Sequence, residues 1–376
     1  MLTKAWFFMK KRPIAGIFAA LSAIIFVVLC IPGCSNLGYY WQNTQGHIAV
    51  MNAAKPVQDW LSDAQTPEAT KRRLSLAQRI RQFASQELAL PNNASYTRFA
   101  DLRRSAVVWN VVAAPEYSLQ LKTWCFAVVG CVGYRGYYNE LDAKTEAERV
   151  QAEGYEVNVY GVPAYSTLGY MNWAGGDPLL STFLGYPEGE LARMIFHELA
   201  HQVLYVKDDT MFNESFATAV ERLGGQQWLA KHGSQAVRQE YDAFDSKRRE
   251  FRMLTLRTRE RLNQIYKQNQ PVAGKEYARD ATDLIAHKKQ QAMQQLRDEY
   301  AQLKQSWGGF TGYDRFIAHA NNASLGAQAA YDELVPQFEA VFEKKGKDWA
   351  AFYTAIQSIA PMPKDERRAA LLAMTQ

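Results

Sequence analysis

Two histidines four residues apart, in the run His197-Glu198-Leu199-Ala200-His201, constrain this chain more than any other feature. On a helix, positions i and i+4 stand one above the other on a single face, so both imidazoles reach one metal ion only if the stretch is helical. The flanking residues support a helix. Pro187, Glu188 and Glu190 suit its first turn. Leu191, Ile195, Leu199 and Val203 recur at helical spacing on a side that can be buried. The chain has six histidines, and two of them fall in this pattern. Glu198 lies beside them, where it can hold a water in place of the metal.

Catalytic zinc takes three protein ligands and keeps one position open. A histidine six residues after His201 would mark a metzincin, but that position is Lys207, which excludes the class. The acidic residues just downstream are Asp208, Asp209, Glu214 and Glu221. If a second helix starts near Thr210 and returns antiparallel to the first, Glu214 lies level with His201. Glu221 then lies about 10 Å further along at 1.5 Å per residue, so the geometry favours Glu214 as third ligand over Glu221.

The amino terminus reads as a targeting segment. Lys4, Lys10, Lys11 and Arg12 precede an uncharged stretch from Ile14 to Ile31, and Ile31-Pro32-Gly33-Cys34 follows. A basic region, an apolar region and a small residue before the cut describe a secretory signal over residues 1–33. The ending resembles a bacterial lipobox, after which Cys34 would be lipidated. Ser35, in place of Asp, looks like an outer-membrane address in a Gram-negative bacterium. The alternative is an uncleaved anchor, since 18 residues just span about 30 Å of bilayer. Either way the remainder faces the periplasm from a membrane of the cell envelope. In that oxidising compartment Cys125 and Cys131 are natural disulfide partners.

Four of the 43 basic residues and none of the 38 acidic ones lie in the first 33 positions, so residues from Cys34 onward carry 39 against 38. The formal charge of +5 is thus mostly a targeting signal and gives no support to a nucleic-acid partner.

The fold class expected for residues 34–376 is α+β: a mainly helical zinc-metallopeptidase domain with a small β-sheet region and a long antiparallel helical hairpin. The chain reads helical from about Tyr39 to Leu90 and strand-rich over about 105–173. There Tyr155, Val157 and Val159 alternate with polar residues, and Gly161 and Pro163 suit an edge strand. Zinc helices follow at about 188–230, the hairpin at about 235–305, and C-terminal helices at about 314–374. Sparse apolar positions such as Leu254, Leu262, Ile285 and Leu296 give the hairpin one narrow seam, and its charges read as a solvated face.

Phe212-Asn213-Glu214-Ser215-Phe216-Ala217 resembles the Asn-Glu-x-Phe-Ala signature of gluzincin aminopeptidases, which implies that Glu214 binds zinc. The gap from His201 is shorter than in that group, and a thermolysin-like spacing would select Glu221 instead. Taken whole, the exported region resembles the predicted zinc aminopeptidase family of proteobacteria. The likeness rests on Gly33-Cys34 with Tyr39-Tyr40-Trp41-Gln42, on Cys125 with Val128-Val129-Gly130-Cys131 and Tyr134-Arg135-Gly136-Tyr137, on Ala164-Tyr165-Ser166-Thr167-Leu168-Gly169, on the zinc motifs, and on Asn321-Asn322-Ala323.

These features imply one zinc ion per chain held by His197, His201 and Glu214, with Glu198 as general base in peptide hydrolysis. A peptide substrate would lie along the edge strand near Gly161 to Gly169, touching Tyr165. Arg135 is a candidate partner for a substrate carboxylate, and more simply a structural ion pair. Tyr205, Tyr241, Tyr313 and His319 are candidates to stabilise the tetrahedral intermediate. Glu140, Glu153 and Asp177 are candidates to grip a free α-amino group. The alternatives are a zinc endopeptidase on the same site, or a non-catalytic envelope lipoprotein with the hairpin as an interaction arm.

Overall fold

The computed structural model describes residues 38–126, 130–268, 279–329, 331 and 333–376. The targeting segment with Cys34, the Val128-Val129 pair and the hairpin break at Pro271 and Gly274 lie outside the described residues. The chain divides after Val50 into an amino-terminal unit, helical over its described residues 38–50, and a unit from Met51 to Gln376.

The helical reading from Tyr39 to Leu90 needs correction, because prolines divide it. Helix α1 (38–53) is followed by the two-residue strand β1 (Lys55–Pro56), α2 (Val57–Ser62) and α3 (Glu68–Gln86). Pro56 and Pro67 occupy the N-cap positions of α2 and α3, where a missing N–H breaks no helical bond. Strand β2 (Arg98–Ala100) pairs antiparallel with β1.

The strand-rich stretch forms a sheet with β3 (Val108–Pro115) at its centre. A ribbon of β4 (Trp124–Phe126) and β5 (Gly130–Val132) follows, in which Cys125 faces Cys131 and a disulfide joins them. Next come β6 (Arg135–Tyr137), α4 (Glu140–Ala152) and β7 (Tyr155–Val162), with β6 and β7 antiparallel to β3 on its two sides. Helix α4 interrupts the stretch expected to be strand-rich. Helix α4 buries only Ala143, Glu146 and Val150, too few apolar positions to show a helical period. Strand β7 is an edge as expected, but the chain leaves the sheet at Val162, so residues 163–169 are not strand.

Strand β8 (Leu179–Leu180) pairs parallel with β2 and leads into α5 (Ser181–Leu184), α6 (Glu188–Val203) and α7 (Thr210–His232). The long helices α8 (Gln235–Gln268) and α9 (Arg279–Ser306) come next, then α10 (Asp314–Ala318), α11 (Asn322–Ala329), α12 (Val335–Lys344), α13 (Trp349–Ile359) and α14 (Lys364–Ala373). Both faces of the β3 sheet are covered. Val112 and Ala114 pack with Ala323 of α11, while Ala113 packs with Val150 of α4. This two-sided burial is why β3 reads as a continuous apolar run.

Helix α6 is buried along nearly its whole length, with Leu191, Ile195, Phe196 and Leu199 fully inside. Its close partner is α7. A Cβ on Gly224 would meet the Phe196 ring at 3.0 Å, so glycine there lets the two helices approach. Phe212 and Phe216 of α7 meet Phe338 of α12 edge to face. Helices α8 and α9 share one seam that includes Leu254, Leu262, Ile285 and Leu296, with Arg257 and Arg261 paired to Glu299. Among the described residues, no helix is long and apolar enough to cross a membrane.

Candidate metal centre and active site

Helices α6 and α7 are joined by only six residues, 204–209, and that turn is held at several points. Asn213 clamps it: its Oδ1 accepts from the Val206 N–H at 2.7 Å and its Nδ2 donates to the Val206 carbonyl at 2.8 Å. Asp209, 1% exposed, caps α7 by accepting from the Phe212 N–H and also pairs with Arg367 at 2.6 Å. Asp208 takes a left-handed conformation (φ 65°), and its carboxylate accepts from the Cys131 N–H. The disulfide ribbon is thereby tied to the turn that sets the height of Glu214.

The result is a compact triangle. His197 Nε2 and His201 Nε2 lie 3.2 Å apart, and Glu214 Oε2 lies 3.3 Å from the first and 3.6 Å from the second. Nitrogens bound to zinc at about 2.0–2.1 Å and tetrahedral angles are roughly 3.3 Å apart. Three lone-pair donors so spaced match one face of a metal tetrahedron, and these three residues can hold a metal ion. The donor set, two imidazoles and one carboxylate without cysteine, is the kind found where zinc is catalytic rather than structural.

Glu221 sits behind the triangle. Its Oε2 is 3.0 Å from His197 Nδ1, within ion-pair range though not aligned for a hydrogen bond, and its other oxygen accepts from Arg193. Arg193, 5% exposed along its side chain, continues to Asp245 at 3.4 Å and to the Tyr241 hydroxyl at 3.3 Å. Asp245 meets Arg248 at 3.1 Å, and Arg248 grips Glu190 with two bonds of 2.8 Å. A chain of alternating charge therefore runs from His197 toward the surface. Such an outer partner orients a ligand imidazole.

The electrostatics follow from this packing. Burial alone would lower His197, but Glu214 and Glu221 together hold it well above its ordinary value. Burial would raise Glu214, yet His201 and His197 hold it down at about 2. Glu221 is likewise kept below the carboxylate range by Arg193 and His197 against the effect of burial. Glu198 moves the other way: burial raises it, the two histidines oppose, and Glu214 and Asp177 add to the rise. A carboxyl pushed upward is suited to accept and return a proton.

Tyr331 stacks on His197, ring centroids 6.3 Å apart at 26°. Glu214 and burial raise its phenol well above the ordinary value, so it stays protonated. Tyr331 and Tyr160 also line a cleft of about 520 Å³ beside the triangle. On the other side, Gln202 of α6 donates to Ser95 at 3.1 Å and to Asp177 at 3.2 Å, and Asn93 donates to Gln202 at 2.7 Å. Tyr96 is enclosed there with φ 66° and a hydroxyl that finds no hydrogen-bond partner among the described residues. Burial raises its phenol, and Glu198 and Asp177 add to this.

The other residues named from sequence fall in different places. Arg135 is committed to Glu146 at 3.4 Å, the structural ion pair. Tyr165 meets Tyr138 edge to face, and burial with Tyr138 raises its phenol. Tyr241 belongs to the charge chain behind Glu221. Tyr313 stacks on Phe251 and packs at the base of the α8/α9 pair, while exposed His319 donates from Nδ1 to the Arg315 carbonyl at 2.9 Å. Burial, with Glu214 adding to it, raises the Tyr205 phenol to about 12. Glu140 pairs with Lys144 and Glu153 with Lys122 and Arg149. Asp177 alone of the three acids shares the field of Glu198, and it holds the 166–177 loop by accepting from the Thr167 N–H.

Sequence reasoning missed Tyr331, Tyr96 and the outer role of Glu221. Nothing in the local sequence marks the two tyrosines. Glu221 had a signal: Arg193 and His197 are four apart, Glu214 and Glu221 seven apart, so each pair forms a stripe on its own helix.

A family model described as "Putative aminopeptidase" matches residues 38–371, and the chain belongs to that family. A comparison with curated proteins found no match, and a comparison with solved structures found none either.

Proposed function

We propose that this member of the family is a zinc-dependent aminopeptidase of the cell envelope, with His197, His201 and Glu214 holding the metal and Glu198 as general base. The observation that carries the reading is the triangle of Nε2, Nε2 and Oε2 atoms, 3.2 to 3.6 Å on a side, with Glu198 on the same helix turn. Zinc bound there supplies Lewis acidity toward a scissile carbonyl. Glu198 takes a proton from the attacking water and delivers it to the departing amine. Glu221, backed by Arg193, holds the His197 ring. Tyr331, stacked on His197 and kept protonated beside Glu214, would donate to the oxygen that becomes negative as the carbonyl is attacked.

Export is supported by the basic and then apolar leader, attachment by Cys34, and an oxidising compartment by the Cys125–Cys131 disulfide. Labelling with a palmitate analogue tests the attachment: label on the wild type and none on Cys34→Ala is the expected pair.

Purified protein should carry about one zinc and cleave short peptides with a free amino terminus. Glu198→Gln should keep the metal and lose at least about 10²-fold in turnover. Metal-free protein, or equal activity in the variant, rejects the reading. Equal cleavage of free and N-blocked peptides would convert it from exopeptidase to endopeptidase.

A further inference from the structure

One face of α8 is turned into the cleft beside the triangle. Arg259, Asn263, Tyr266 and Lys267 line it from that helix, at the four- and seven-residue spacings of a single stripe. Lys364 of α14 lines it as well. Among the described residues the lining includes one acid, Asp208, whose carboxylate is engaged by the Cys131 N–H. Lys364 is only loosely held, 3.8 Å from an Asp209 that already pairs with Arg367.

The stripe has a fixed base. The Tyr266 hydroxyl donates to Asn322 Oδ1 at 2.9 Å, and Asn322 Nδ2 donates to the carbonyls of Pro115 at 3.1 Å and Glu116 at 2.7 Å. The cleft thus runs between a cationic helix face and Tyr331, which stacks on His197. Residues from Cys34 onward are nearly neutral, 39 basic against 38 acidic, so Lys267 and Lys364 beside one engaged acid are a local concentration of positive charge among the described residues. Set in a concave surface, that charge selects anions.

We propose that this cleft binds the carboxylate of a short anionic peptide, either its free C-terminus or an acidic side chain, with Arg259, Lys267 and Lys364 as the cationic partners. The proposal rests on the peptidase reading for the nature of the ligand, but binding is measured without turnover. Helix α8 is then one wall of the substrate site as well as half of a solvated arm.

The test uses the full chain carrying Glu198→Gln and three peptides of equal length: neutral with a free C-terminus, neutral and amidated, and amidated with one internal Glu. At low salt the peptides with a carboxylate should bind about tenfold or more tighter than the neutral amide, and 0.5 M salt should narrow the gap. Whichever carboxylate peptide shows the gain identifies the source. Adding Lys267→Glu and Lys364→Glu, both at exposed positions, should abolish or invert the preference. Arg259→Gln on its own should reduce the preference, provided that variant keeps the wild-type circular dichroism. Equal binding of all three peptides overturns the proposal, as does a preference that survives Lys267→Glu with Lys364→Glu. Turnover by the wild type is scored separately: no cleavage together with carboxylate-selective binding overturns the peptidase reading and leaves the site standing.

Discussion

Glu214 and Glu221 project from the same helix toward the same histidine, and their seven-residue offset separates their roles. Glu214 meets the Nε2 atoms of both histidines, while Glu221 meets only Nδ1 of His197 from behind. Removing a ligand and removing its support should therefore differ in size. Glu214→Gln should abolish tight zinc binding, whereas Glu221→Gln should weaken it about 10- to 100-fold and leave measurable turnover at saturating zinc. Competition with a chromogenic chelator reads both. Glu221→Gln also strips Arg193 of its nearest partner, so its melting temperature should fall even without metal. A pH effect follows for Glu214 in metal-free protein. Its folded value is depressed to about 2 from an ordinary 4.5, so its ionised form contributes stability above 4.5 that is lost as pH falls toward 2. Thermal melts of metal-free protein across that window should show the loss, and Glu214→Gln should flatten it.

At the scale of elements, the site depends on how little chain joins α6 to α7. Asp209 holds that turn by capping α7 and by neutralising Arg367, both deep inside. Asp209→Ala should cost about 3–5 kcal/mol, since it removes a cap and leaves a buried cation unpaired. Asp209→Asn keeps the cap and should cost less; chemical denaturation of the two variants checks the order. The 93–97 segment offers a second case. A Cβ on Gly176 would stand 2.5 Å from the Ser95 backbone nitrogen, and Gly176 has φ 64°. Backbone cannot move aside as a side chain can, so Gly176→Ala should destabilise by about 2 kcal/mol or more and disturb the loop beside Glu198. Such elements explain what was legible. Helices α6 and α7 begin close to where Pro187 and Thr210 place them, because long amphipathic segments repeat their pattern several times. Strands β1 and β8 span two residues each, too short for any period, and their sheet exists only through partners far along the chain.

For the whole molecule, the same division between local and distant governs the site. His197, Glu198, His201 and Glu214 fall within 18 residues and could be read as one motif, whereas Tyr96 and Tyr331 reach it only through the fold. The fold in turn packs these helices without calling on a metal. The apolar side of α6 is packed by Leu191, Ile195, Phe196 and Leu199, each wholly buried, and α7 is packed through Phe212 and Phe216 onto α12. Without a cation the triangle keeps one carboxylate and two imidazoles that can share protons, so no bare charge is left inside. Removing zinc with a chelator should therefore leave the helical circular dichroism intact and lower the melting temperature by several degrees. Free zinc a thousandfold above its dissociation constant contributes about 4 kcal/mol to the folded state, and each kcal/mol moves a chain of this size by roughly 2 °C. Restoring zinc should recover both the melting temperature and turnover in the same titration. Loss of helical signal on chelation would instead make the metal a structural staple, at odds with a carboxylate-containing site whose helices are already packed on their apolar sides.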